Sequence, residues 1–176
     1  WSFTDEVWQG VTPDLARQVP PGGEHSFIWI FWHLARIEDI TMNLLAAGQP
    51  QVLDREDWLK PLRAPFRHAG NEISAHELAE LNAAIDVDAL LAYRDAVGKS
   101  TRAVVSALDV ENLAQKTAPS RLRQVMEQGD LLPAATGPID YWGGLTLAGL
   151  LLMPPTRHCV LHHNEALRLR KKLKIN

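Results

Sequence analysis

Between Ser26 and Leu44 one set of residues returns every three or four positions: Ser26, Trp29, His33, Ile37, Ile40 and Leu44. That spacing draws a single stripe along a helix, whereas a strand requires alternation at two. The same period recurs along the chain, and alternating β-branched runs are absent. A chain patterned this way buries helix faces against one another, so the expected fold class is all-α.

Punctuation sets the expected boundaries. The first long helix should end near Gly48, with Pro50 beyond it. Thr12 and Pro13 open a short helix, and Asp54 is placed to cap another within residues 53–65. Ser74 followed by Glu77 is a capping signature. A long helix begins near Asp86, with Leu90, Tyr93, Val97, Thr101, Val104 and Leu108 on its inner stripe. A further short helix starts near Ser120. Residues 129–144, "GDLLPAATGPIDYWGG", read as loop. Pro154 and Pro155 either start a new helix or kink a long one. The simplest assembly is a four-helix bundle with short accessory helices, residues 1–176 forming a single domain.

A net charge of −3 supplies no field to recruit nucleic acid, and no nucleic-acid partner is expected. The basic run Arg168, Arg170, Lys171, Lys172 and Lys174 complements the negative end of a helix. The longest apolar stretch, Gly144 to Met153, is too short to cross a bilayer, so no membrane is expected. The single cysteine, Cys159, rules out an internal disulfide framework and fits a reducing, cytoplasmic setting. The chain opens at Trp1 rather than Met, which weakens any targeting argument.

Function depends on the histidines. His158 and His162 are four apart and share a helix face with Ala166 and Leu169, while His163 is rotated by about 100° and points elsewhere. Two imidazoles at this spacing can bind one metal ion, although ordinary polar or part-buried histidines share the pattern. The Glu of a H-E-x-x-H zinc-protease motif is missing. His33 lies on the apolar stripe of the strongest helix, as either a hydrogen-bonded core residue or a third ligand. Three neutral nitrogens with an open position match a catalytic metal site better than a closed structural one. A helix N-terminus beside His158 would favour its neutral, metal-binding form.

The His of "WHLARIED" on an early helix, with H-x-x-x-H near the start of the last long helix, resembles the DinB/YfiT-like superfamily of metal-dependent enzymes. The second motif of that family commonly continues His-Arg-Gly-Gln. Here His162 is followed by His163, Asn164 and Glu165, so Glu165 stands where the family has Gln. The resemblance implies a four-helix bundle connected up-down-down-up, a metal triad of His33, His158 and His162, and a homodimer. It also implies a small-molecule substrate, in some members a low-molecular-weight thiol such as bacillithiol or mycothiol.

Other residues carry two readings each. Glu165 is a general base, a fourth ligand or an acceptor behind a ligand, against a solvated helix glutamate. Arg36 could hold an anionic substrate or pair with a carboxylate; Trp29 walls a pocket or packs the core. Glu38 and Asp39 read as salt-bridged or solvated, and Cys159 as a small buried residue rather than a catalytic thiol. His25, His68 and His76 read as surface residues. The leading expectation is a metal-dependent hydrolase or thiol S-transferase holding zinc, nickel or iron. The competing one is a non-catalytic binding or scaffold bundle with core histidines or a vestigial site.

Overall fold

The structure is a computed structural model, and it describes residues 2–175. The described residues are helical, with no strand among them beyond one isolated bridge between Lys116 and Thr146. In chain order the elements are α1 (Ser2–Trp8), α2 (Pro13–Ala16) and α3 (Phe27–Asp39), which runs on as a π-helical segment (Ile40–Ala47). Next come α4 (Val52–Arg55), α5 (Leu59–Leu62), α6 (Ala75–Ala84) and α7 (Val87–Ala107). A 3₁₀ turn (Val110–Asn112) leads to α8 (Pro119–Glu127), α9 (Thr136–Gly144) and α10 (Leu147–Leu152). A second π-helical segment (Met153–His158) joins α10 to α11 (Cys159–Lys172).

Several boundaries follow from caps. Thr12 accepts from Leu15 N at the head of α2, Asp86 from Ala89 N at the head of α7, and Ser74 and Glu77 form a reciprocal capping box. Gly48 ends the first long helix in the left-handed conformation, φ 65°. Ser26 is the N-cap of α3 rather than a member of its stripe, accepting from Trp29 N at 3.0 Å. Asp54 lies inside α4, whose cap is Gln51.

The loop reading of residues 136–144 and the helix N-terminus expected beside His158 are corrected. Residues 136–144 form a helix, not a loop: Gly137 and Pro138 fall in its first turn, where a missing N–H costs nothing. Pro154 and Pro155 sit in the π-helical segment, so of the two expected outcomes the long helix continues through them, with its turn widened there. His158 therefore lies within a continuous helical run, not at a free N-terminus.

The helix expected to show one apolar stripe is buried on every side, from Phe27 through Ala46. It forms the axis of the molecule. α7 packs along it, and α6, α11 and the second π segment pack against other parts of it. One core cluster surrounds its first half, with Phe31, Trp32, Tyr93, Ala166 and Leu169. A second surrounds its continuation, with Ile37, Ile40, Val104, Trp142 and Leu150. Burying each aromatic or large aliphatic side chain contributes about 1.5–3 kcal/mol.

Burial on all sides forces the charges of α3 to find partners. Arg36, fully buried, donates to Asp130 at 2.8 Å and to the Tyr93 hydroxyl at 3.0 Å, with Asp39 at 3.4 Å. Burial works against its charge, but Tyr93, Asp130 and Asp39 hold it protonated. Asp39 also accepts from Val52 N and Leu53 N, tying α4 to α3. Glu38 pairs with Arg94 of α7 at 2.9 Å.

Candidate metal centre

His33 faces inward at the junction of the two core clusters, one turn from Trp29 and one from Ile37. The segment 67–70 runs beside α3 and presents four successive carbonyls to it. Arg67 O accepts from Arg36 Nε at 2.8 Å, and His68 O from Trp32 Nε1 at 2.9 Å. Ala69 O accepts from His33 Nδ1 at 2.7 Å, and Gly70 O from Trp29 Nε1 at 3.2 Å. The ring N–H groups of Trp29, Trp32 and His33 thus each have one backbone acceptor. For His33 the consequence is chemical: with the proton on Nδ1, the Nε2 lone pair faces the histidines of the last helix.

His158 closes the second π segment and His162 lies one turn on, in α11. His158 Nε2 stands 3.1 Å from His33 Nε2. The ring centroids of His33 and His162 are 4.9 Å apart, those of His158 and His162 4.5 Å. One nitrogen from each of the three lies within 4.8 Å of the others. His162 donates from Nδ1 to Glu165 at 2.7 Å, which leaves Nε2 as its ligand atom.

These residues fit a divalent ion. Nitrogens bound at roughly 2.1 Å to a common ion lie about 3.0–3.4 Å apart, the range in which the His33 and His158 pair falls. The donor set is also in the right protonation state. Burial, reinforced by His158 and His162, pushes His33 well below the usual histidine value. Burial and the neighbouring His162 push His158 down to about 3. His158 is therefore neutral because it is desolvated, not because of a helix end. Its Nδ1 is buried without a hydrogen-bond partner.

Behind the triad stands a carboxylate. Glu165 accepts from His162 Nδ1 through one oxygen and from His25 Nδ1 through the other, each at 2.7 Å. Partial burial opposes its ionisation, but these two hydrogen bonds hold its carboxyl down at about 2. His25 stacks on Trp29 at 3.4 Å, and Trp29 stacks in turn on His33 at 4.6 Å. His25, read from sequence as a surface residue, is thus part of the shell around the site. His68 is likewise buried, stacked on Phe66 at 3.8 Å, while His76 is exposed.

The remaining sequence candidates lie elsewhere. Arg36 turns its guanidinium toward Asp130, Asp39 and Tyr93 and has no exposure. Cys159 is buried, and burial next to Glu38 pushes its thiol up to about 11. His163 donates to Cys159 O and faces Phe31, away from the triad. Sequence reasoning missed His25 and the 67–70 carbonyls. The local signal for the latter was the glycine of "HAGN".

Fold and site together define a class: an all-helical protein whose axial helix and last helix bring three histidines into metal-binding range. The chain belongs to the DinB superfamily, whose model matches residues 1–166. Its fold is similar to that of a conserved protein from Enterococcus faecalis, with a TM-score of 0.70 at 15% identity, covering 99% of this chain and 91% of that one. No curated protein matches the chain significantly.

Proposed function

We propose that this protein is a metal-dependent enzyme that holds one divalent ion through His33, His158 and His162 and transfers a small thiol to an electrophile. The observation that carries the reading is the convergence of three imidazole nitrogens within 4.8 Å, with the opposite nitrogens of His33 and His162 engaged by Ala69 O and Glu165. Zinc, nickel and iron all suit such a set. A bound ion supplies Lewis acidity that lowers the pKa of a thiol or water brought to it.

Thiol transfer is favoured over hydrolysis by the state of Glu165. Glu165 offers water no free base, because both its oxygens are engaged by histidine N–H groups, so water would depend on the ion alone for its ionisation. Its role is to hold His162 in register and raise the basicity of the coordinating nitrogen. A thiol is the better nucleophile without a base, because it ionises more readily than water. The sulfur then bonds to carbon as the leaving group departs, and the thiol proton passes to solvent. Trp29 stacks against His33, and His25 covers the far face of Trp29, so the two rings keep water from that side.

Metal analysis of untagged protein should return about one ion per chain, lost in the His33→Ala, His158→Ala and His162→Ala variants. Protein that is metal-free, takes up none and is unchanged by these substitutions would overturn the reading in favour of a non-catalytic helical protein. With metal present, conjugation of a small thiol to a chlorinated aromatic should exceed ester hydrolysis. The reverse ranking would make the enzyme a hydrolase.

A further inference from the structure

A cleft of about 270 Å³ opens beside the triad, with His158 as part of its wall. Its other walls are Ile37 from α3, Tyr141 and Trp142 from α9, and Met153 and Pro154 from the second π segment. Ile37 and Trp142 are almost fully buried, whereas Tyr141 is about half exposed and forms the rim. Asn71, also in the wall, is uncharged. Among the described residues no Lys, Arg, Asp or Glu lines this space.

We infer that the substrate group bound next to His158 is a small, neutral, apolar and preferably aromatic moiety. The inference rests on the metal-dependent reading above and adds what the second substrate must be. A charged ligand entering this cleft would lose hydration and meet no counter-ion, a cost that burial makes large. The nearest sequence candidate for an anion clamp, Arg36, is closed off: its guanidinium is fully buried among Asp39, Asp130 and Tyr93. An aromatic ring gains instead from the indole and phenol of Trp142 and Tyr141. The volume lies at the small end of ligand sites, enough for on the order of ten non-hydrogen atoms.

The cleft at His158 differs in character from the groove behind Glu165. Around Glu165 the groove contains Glu24, His25, Arg168 and Lys172, and is ionic. Around His158 the wall is mostly carbon, with Asn71 and the imidazole itself as its polar groups.

The test uses toluene and benzyl alcohol as neutral probes, and benzoate and benzylammonium as charged probes of similar shape. Binding is followed by ligand-observed NMR on the metal-loaded protein and on the His162→Ala variant. Neutral probes should bind both proteins at least tenfold more tightly than the charged ones. Trp142→Ala should weaken them at least tenfold. Because Trp142 is buried and this change could unfold the chain, Gly137→Leu provides a second arm. Gly137 lines the cleft and a Cβ there meets no atom within 4 Å, so a side chain added at this position should narrow the cleft and block the probes while leaving metal stoichiometry intact. Equal or tighter binding of benzoate or benzylammonium, or neutral binding that survives both cleft substitutions, overturns the inference. A protein that binds neutral probes as expected but takes up no metal overturns the enzyme reading and leaves the cleft assignment standing.

Discussion

Glu165 shows how one residue can be misjudged when only its own helix is considered. Its spacing of three from His162 was legible, and so was a choice between base, ligand and supporting acceptor. What decides among them is His25, 140 positions earlier, which occupies the second oxygen. Glu165→Gln keeps the size but removes the charge that orients two N–H donors. Losing a partner behind a coordinating histidine typically costs 10–100-fold in metal affinity. A chelator-competition titration should show a loss of that size at pH 7.5, with the helical circular dichroism unchanged. Wild-type affinity in the variant would show that Glu165 is only beside the site. Arg36 teaches the converse. A charged residue beside His33 invites a substrate role, but its partners Tyr93 and Asp130 come from distant parts of the chain. Local spacing cannot reveal them.

Among the elements, those with strong local chemistry are readable from the sequence. Caps at Thr12, Ser74 and Asp86, the left-handed stop at Gly48 and the i, i+4 pair of His158 and His162 are all decided within one or two turns. Elements stabilised by contacts from elsewhere were not. α9 is rich in Gly and Pro, and packing recruits it into a helix: Trp142 is buried in the second core, and a Cβ on Gly143 would come within 3.2 Å of Leu122. The 67–70 segment has no periodicity at all, yet it orients Arg36, Trp32, His33 and Trp29. Its last residue, Gly70, has φ +83°, and a Cβ there would lie 2.8 Å from Trp29 Nε1. Gly70→Ala should therefore cost about 1–2 kcal/mol from backbone conformation alone, before the indole is displaced. Chemical denaturation checks that loss. Because Trp29 stacks on His33, metal affinity should fall with it. A variant with unchanged stability and affinity would mean that this segment does not set the orientation of the site.

At the scale of the whole molecule, burying an entire helix takes His33 out of water and desolvates much of His158 packed beside it, and this ties stability to pH. His33 and His158 both titrate below the ordinary histidine value when folded, His158 at about 3, chiefly because burial disfavours the charged ring. In the unfolded chain they take up protons near pH 6.5. Between pH 6.5 and about 3 the unfolded state thus binds more protons than the folded one, so stability rises with pH through this window and levels off above it. Each such group steepens the dependence by up to about 1.4 kcal/mol per pH unit. Metal-free protein unfolded by urea should lose stability steadily from pH 7 to pH 5. His158→Leu, which removes one buried base but keeps an apolar side chain, should flatten that slope by up to about 1.4 kcal/mol per pH unit. A bound ion competes for the same lone pairs and adds stability to the folded state. The metal-loaded protein should therefore start higher at pH 7 and fall more steeply once protons displace the ion. Identical pH profiles for the metal-free wild type and His158→Leu would show that His158 is not kept uncharged by the fold, and the protonation argument for the metal centre would fail with it.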